Sequence, residues 1–115
     1  MVNEPSKKEL QTQYKEREVI GGVYAIRNTL NNRLYLDATL DLRGSKNRFE
    51  FAKDTGSCVY PKLQDDWTKQ DGRHFEFQVL EELKREPTQS DAEFKADIEL
   101  IKQICLERLA NEAFY

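Results

Sequence analysis

The sequence predicts a single α+β domain in which a small three-stranded antiparallel sheet is flanked by helices. The chain of 115 residues is long enough for one hydrophobic core and too short for two. Strand-like segments flank a tight-turn signal near residue 31, and a third alternating segment begins near residue 75. A long apolar stripe at helical spacing follows residue 90.

The first two strands form a predicted hairpin around Asn31-Asn32, a pair that tolerates the positive φ of a tight turn. A two-residue loop would pair Tyr24 with Thr39, and any loop of even length keeps the same alternation of faces. Tyr24 and Tyr35 are therefore predicted to share one face of the sheet. The other face carries Val23, Ala25, Leu34, Leu36 and Ala38. Because all five are apolar, this is predicted to be a core face of the sheet. The order of elements fits a sheet with one face covered by helices.

A helix is predicted to follow the hairpin and to run towards Lys53. Asp41 is a candidate N-cap, and Ser45 is the alternative because a glycine between them weakens the first turn by about 1 kcal/mol relative to alanine. Gly56 is predicted to end this helix, since glycine readily adopts the left-handed conformation found there.

The centre of the chain continues with a second helix over about 58–70, with Pro61 in its first turn and Gly72 after its end. Phenylalanine and valine alternate with polar residues over 75–79, which predicts a half-buried strand. Residues 81–89 then read as a charged linker.

A capping box, in which Ser90 is followed three residues later by Glu93, predicts the start of the last helix. Its apolar stripe consists of Phe94, Ile98, Ile101, Cys105 and Leu109. At the other end of the chain, residues 1–20 are predicted to form a charged helical arm, with a frayed arm as the alternative. Gly21-Gly22 is expected to break the chain before the domain at 21–115.

Composition excludes several classes of protein. With 34% charged and 38% hydrophobic residues, the chain has an ordinary globular balance. No apolar run approaches the ~20 residues of a membrane span, and residues 1–18 lack the apolar segment of a signal peptide. Cys58 and Cys105 are far apart, so reduced thiols and a cytoplasmic location are expected.

The charge is unevenly distributed, although the net value is only −3. Residues 1–75 carry 13 Lys/Arg and 11 Asp/Glu, whereas residues 76–115 carry 5 and 10. Proteins that grip duplex DNA usually present a strongly basic face, because phosphate neutralisation supplies most non-specific affinity. Any DNA binding by this chain is therefore expected to be weak.

One segment begins with Gly22-Val23-Tyr24 and reaches Tyr35-Leu36-Asp37, with eleven residues from the first tyrosine to the second. This segment resembles the signature of the GIY-YIG nuclease superfamily. The hairpin over 22–35 is similar to that of phage-type homing endonucleases of this superfamily. The resemblance extends more loosely over residues 21–109 and implies the corresponding fold.

The resemblance implies DNA phosphodiester hydrolysis with one divalent metal ion. Tyr24 and Tyr35 match the two signature tyrosines, the first of which helps to activate the attacking water in such enzymes. In such enzymes a helix arginine also stabilises developing phosphate charge, and a glutamate on a later helix holds the metal. Glu99 is the candidate for that carboxylate, with Asp97 as its rival.

The chain departs from the superfamily pattern at several positions. Asp37 replaces the glycine of the second triplet, and its charge would repel a substrate phosphate. Ser45 stands where the arginine is expected and Phe49 where a hydroxyl or imidazole is expected. Arg48 is one helical turn away and could replace the arginine; the alternative is a solvated surface charge. The late asparagine of the family has no counterpart before Tyr115.

Three hypotheses about function remain. The first is a GIY-YIG-like domain with a degenerate site, acting without a cofactor as a binding or regulatory module for nucleic acid or protein. The second is an active endonuclease whose rearranged site places Tyr24, Tyr35, Arg48 and Glu99 around Mg²⁺. The third is a structural domain whose tyrosine face contacts a protein. A membrane partner is not expected, and the oligomeric state is open.

Overall fold

The structure of the chain, a computed structural model, describes residues 19–70 and 72–115. These residues form strands β1 (Ile20–Asn28), β2 (Leu34–Thr39) and β3 (Phe75–Lys84), helices α1 (Leu42–Thr55), α2 (Gln64–Gln70) and α3 (Asp91–Arg108), and a 3₁₀ turn (Pro61–Leu63) that precedes α2. The predicted α+β class and the predicted order of elements are confirmed. The predicted helix within the N-terminal arm lies outside the described residues.

The strands form one antiparallel sheet in the order β2-β1-β3. Tyr24 pairs with Asp37 and Ile26 pairs with Tyr35, so the predicted pairing of Tyr24 with Thr39 is wrong. The hairpin loop has four residues, because the Asn28 amide already donates to the carbonyl of residue 33 at 3.0 Å. Four is an even number, and the prediction that both tyrosines share a face is therefore confirmed.

Helices cover both faces of the sheet, and not one face as predicted. Gly21 lies against Phe94 and Ile98 of α3, which places that helix on the face shared by Gly21, Val23 and Ala25. The larger buried cluster lies on the opposite face, which carries the tyrosines. It consists of Tyr24, Ile26, Leu42, Phe49, Ala52, Tyr60, Leu63, Trp67 and Phe75. The prediction that the Val23 face is a core face is confirmed, since Val23, Ala25 and Leu34 are buried. The tyrosine face forms a second core layer, because the central strand is buried on both sides.

The helix ends follow local capping chemistry. The Asp41 carboxylate accepts from the Gly44 amide at 3.1 Å, so Asp41 and not Ser45 is the N-cap of α1. Gly56 ends α1 with φ of 72°, as predicted. Ser90 forms both hydrogen bonds of the predicted capping box at the start of α3.

β3 is longer than predicted and includes part of the expected charged linker. Ile20 pairs with Lys84, and Val23 pairs with Glu81, so 81–84 belong to the sheet. Gly22 lies inside β1 and does not break the chain. Its φ is 154°, and an added Cβ would lie 2.0 Å from the Glu81 carbonyl oxygen. This glycine permits the close pairing of β1 with the second half of β3.

The last residues of the chain return to the β1–β2 hairpin. The Tyr115 amide donates to the Leu34 carbonyl at 2.9 Å. The Tyr115 hydroxyl donates to Asp66 at 2.6 Å and accepts from the Asn28 amide nitrogen at 2.8 Å. Because Asn28 is fully buried, these bonds fix the C-terminal residues against the loop end of the sheet.

Two predictions from composition also concern this fold. Cys58 and Cys105 are both free thiols, and Cys105 is buried on α3 as predicted. None of the helices formed by residues 19–70 and 72–115 has the length and apolar content that crossing a bilayer requires.

Gly22→Ala is expected to destabilise the domain by about 3 kcal/mol or more. The methyl group meets strand backbone, and the positive φ adds about 1–2 kcal/mol of strain. Gly56→Ala is the matched control, since its φ is also positive but no atom lies within 4 Å of the added Cβ. It should cost about 1 kcal/mol. Equal losses of unfolding free energy in urea would contradict this assignment.

Candidate functional site

Three tyrosines form a cluster on the sheet face that α1 and the 3₁₀ turn cover. Tyr24 projects from β1, Tyr35 from β2, and Tyr60 immediately precedes the 3₁₀ turn. The rings of Tyr35 and Tyr60 have centroids 5.6 Å apart, and Tyr24 stacks on Phe77 at 4.8 Å. We call Tyr24, Tyr35 and Tyr60 the tyrosine cluster. The structure therefore brings the two predicted tyrosines together and adds a third.

No motif in the sequence marks Tyr60 as a site residue. Its spacing with Leu63 and Trp67 is that of a helical core position, and its side chain is 6% exposed. In the structure Tyr60 has an extended backbone, so the second helix begins at Pro61 and not at 58. The Cys58 thiol donates to the Tyr60 carbonyl at 3.3 Å and helps to fix this conformation.

The hydroxyls of Tyr24 and Tyr60 have no hydrogen-bond partner among the described residues, 19–70 and 72–115. In the same part of the chain, the enclosed polar side-chain atoms without a partner are Arg27 Nε and Trp67 Nε1. The two hydroxyls are therefore not fully enclosed, although the residues that carry them are only 6% exposed.

Asp37 lies directly opposite Tyr24 and carries a carboxylate into the cluster. Its Oδ2 accepts from the Tyr35 hydroxyl at 3.4 Å, and its Oδ1 lies 3.4 Å from Lys102 Nζ. The Ala38 amide also donates to Oδ1, at 2.8 Å. The Asp37 and Lys102 side chains are 39% and 26% exposed, so the ion pair is partly shielded from water. It connects α3 to the edge strand β2.

The environment raises the pKa of all three phenols. Burial, followed by the negative charge of Asp37, raises the pKa of Tyr24 far above its ordinary value. Burial raises the pKa of Tyr60 to about 12, although the Arg48 charge opposes the shift. Burial and then Asp37 raise the pKa of Tyr35. At neutral pH the three phenols are therefore hydrogen-bond donors and poor bases.

Arg48 lies on the exposed flank of α1, within electrostatic reach of the cluster. Its charge lowers the pKa of both Tyr24 and Tyr60 against the larger effect of burial. At the position where the resemblance expects arginine, the Ser45 hydroxyl donates to Thr39 Oγ1 at 2.8 Å. Arg48 is therefore the α1 cation that acts on the cluster, and its predicted role in phosphate binding stays a prediction.

The two candidate metal carboxylates lie on different sides of α3. Asp97 accepts from Gln89 Nε2 at 2.5 Å, on the side of the helix that borders β3. Glu99 lies one turn before Lys102, on the side of the helix that borders β2. Lys102 is only half-buried, and Glu99 is a further ~60° around the helix and exposed. Of the two, Glu99 is closer in direction to the cluster, but it faces solvent.

The donor set around the tyrosines does not fit the Mg²⁺ that the resemblance implies. Across residues 19–70 and 72–115, no three His, Cys, Asp or Glu side chains are grouped so that they could hold a metal ion. The carboxylate that borders the tyrosines, Asp37, is already paired with the Lys102 ammonium. An ammonium beside that oxygen would repel a divalent cation. We therefore derive no chemical step through a metal at this site.

Two solved structures of nuclease catalytic domains are similar to this fold. The catalytic domain of the intron endonuclease I-TevI, in a glutamate-to-alanine variant, matches with 26% sequence identity and a TM-score of 0.58. The match covers 84% of this chain and 93% of that chain. A second structure of the homing endonuclease I-TevI catalytic domain has 27% identity and a TM-score of 0.50, over 78% and 88% of the two chains. No protein-family model and no curated protein matches the sequence.

These similarities agree with the resemblance seen in the hairpin residues. The chain has a GIY-YIG-like fold, and the α+β architecture corresponds to that of the I-TevI catalytic domain. The roles predicted for Tyr24, Tyr35, Arg48 and Glu99 stay predictions.

The stability of the domain should fall in alkaline solution because of the cluster. The folded-state pKa of Tyr60 is about 12 and its ordinary value is 10.0, so the unfolded chain loses this proton first as pH rises. The contribution of Tyr60 is complete below pH 10 and is lost as pH rises towards 12. At about 1.4 kcal/mol per pKa unit, the full loss for a shift of about two units is about 3 kcal/mol. Tyr60→Phe should weaken the decrease of the unfolding free energy, measured in urea, as pH rises over this range. An unchanged dependence of the unfolding free energy on pH would contradict the prediction.

Asp37→Asn should move the pKa of Tyr35 and Tyr24 towards the ordinary tyrosine value, because it removes a negative charge that disfavours tyrosinate. Near-ultraviolet absorbance of tyrosinate, followed during a pH titration, would measure the change. Asp54→Asn is the matched control, since Asp54 is exposed on α1 and should leave the titration unchanged. Superimposed titrations of the Asp37 variant and the wild type would contradict the electrostatic assignment.

Proposed function

We propose that this GIY-YIG-like domain binds the phosphate backbone of nucleic acid and does not cleave it. The observation that carries the proposal is the Asp37–Lys102 ion pair beside the tyrosine hydroxyls. A carboxylate stands at a position where the superfamily pattern has glycine, and an ammonium neutralises it. This combination favours reversible binding of an anion over hydrolysis.

Hydrolysis is disfavoured by both the charge and the proton affinity of the cluster. The raised pKa of Tyr24 keeps its hydroxyl protonated, so it is poorly suited to remove a proton from water. Asp37 would repel the extra negative charge of a phosphoryl transition state. Removal of a single positioned charge contact typically lowers a rate by ~10²–10³, and Ser45 occupies the expected arginine position.

Binding is supported by the donors that the cluster presents. Arginine, lysine and tyrosine side chains commonly contact phosphate oxygens. The Tyr24 and Tyr60 hydroxyls are protonated and within electrostatic reach of Arg48, and Lys102 contacts Asp37, which pairs with Tyr24. The similar I-TevI domains are described as parts of homing endonucleases, which supports nucleic acid as the partner. The acidic balance of the chain predicts weak, salt-sensitive affinity.

A nicking assay on supercoiled plasmid, paired with an anisotropy assay on a labelled DNA duplex, tests the proposal. Wild type should bind the duplex at low salt and produce no nicks with Mg²⁺ or Mn²⁺. Glu99→Ala should leave binding unchanged, because Glu99 is exposed and lies outside the cluster. Glu107→Ala, another exposed acidic position on α3, is the matched control.

Metal-dependent nicking that disappears in Glu99→Ala but persists in Glu107→Ala would overturn the proposal in favour of a rearranged nuclease. Absence of both nicking and binding would also overturn it, and the tyrosine face would then be assigned to a protein partner.

A further inference from the structure

We infer that the tyrosine cluster binds a phosphodiester without a divalent cation, and that Lys102 supplies the positive charge which contacts it directly. The inference rests on the proposed nucleic-acid binding and goes further. It names the group that carries the affinity, and it states that the affinity does not depend on metal.

Lys102 has the position that this role requires. It extends from α3 past the edge of β2 and reaches Asp37, whose other oxygen accepts from Tyr35. Its side chain is 26% exposed, so the ammonium is held near the cluster but remains reachable from solvent. An ammonium has three donors, and within residues 19–70 and 72–115 its hydrogen-bond partner is Asp37 alone. Two donors are therefore available to a bound anion.

The charges around the cluster suit a phosphodiester better than they suit a metal complex. Lys102 and Arg48 are positive and Asp37 is negative, which leaves one net positive charge for a group that carries one negative charge. A divalent cation would have to displace Lys102 from Asp37 or share the carboxylate with it. The flexible lysine side chain can instead turn from the carboxylate to a phosphate oxygen without leaving the protein.

Asp37 has two opposite effects on this site. In the free protein it orients Lys102, and in the complex its negative charge repels the phosphate. Removal of the charge by Asp37→Asn should therefore strengthen DNA binding. A purely structural ion pair would behave differently, because Lys102 would then act only by neutralising Asp37 and by tying α3 to β2.

A double-mutant cycle separates direct contact from neutralisation. Lys102→Met preserves much of the side-chain length and removes the charge, and it would be made both in wild type and in Asp37→Asn. Direct contact predicts about a tenfold loss of DNA affinity in both backgrounds, which corresponds to about 1.4 kcal/mol. It also predicts that the slope of log affinity against log salt becomes smaller by about 0.7–0.9. Loss of affinity in wild type but not in Asp37→Asn would overturn the inference.

Lys95→Met is the matched control for the cycle. Lys95 is exposed on the same side of α3, but it lies seven residues earlier, about 10.5 Å along the helix. It should lower affinity by less than Lys102→Met does. Equal effects would overturn a specific contact, since they would indicate only the general charge of the helix. Thermal melts of each variant would verify that the compared proteins are folded.

Metal independence is tested on the same wild-type protein. Duplex affinity should be equal within about twofold in EDTA and in Mg²⁺ when ionic strength is matched, and binding that requires Mg²⁺ would overturn the inference. Inorganic phosphate should displace the duplex more effectively than chloride at the same ionic strength. Failure of wild type to bind any duplex would overturn the proposed function as well, whereas binding that is insensitive to Lys102 would overturn the inference alone.

Discussion

Burial of β1 on both faces is the constraint on which the rest of the structure depends. Val23 and Ala25 pack towards α3, and Tyr24 and Ile26 pack towards the layer of α1 and α2. Every residue from Gly21 to Ile26 is buried, so the strand cannot shift by one residue without moving side chains into the wrong layer. Tyr24 therefore projects from a strand that is buried on both faces, and this rigid element holds its hydroxyl in a defined position.

The electrostatic arrangement of the cluster follows from the same register. Pairing of Tyr24 with position 37 brings an aspartate beside the phenols, and this aspartate forms an ion pair with Lys102 of α3. The superfamily resemblance implies glycine on the strand and a glutamate on the helix; here the strand carries the carboxylate and the contacting helix residue carries the cation. A tethered ammonium brings one positive charge and cannot be exchanged with solvent, whereas a metal ion brings two and can.

Much of the fold was accessible from the sequence because local rules decide it. The shared face of Tyr24 and Tyr35 needs only strand alternation and an even loop, and the capping box at Ser90 is a signal within four residues. Other features depend on long-range packing. An alternating pattern does not reveal the core side of a strand that is buried on both faces. Residues 81–84 are rich in charge, and they join the sheet because Gly22 allows their backbone to approach.

The site was less predictable, because its distinctive residues carry no local signal. Tyr60 has the spacing of an ordinary helical core residue, but its backbone is extended before the turn at Pro61 and its ring contacts Tyr35. Lys102 is one of several charged positions on α3, and its contact with Asp37 spans 65 residues of sequence. The superfamily pattern predicts a carboxylate on this helix, with Glu99 as the candidate. The α3 residue that reaches the strand carboxylate in this chain is instead a cation, Lys102.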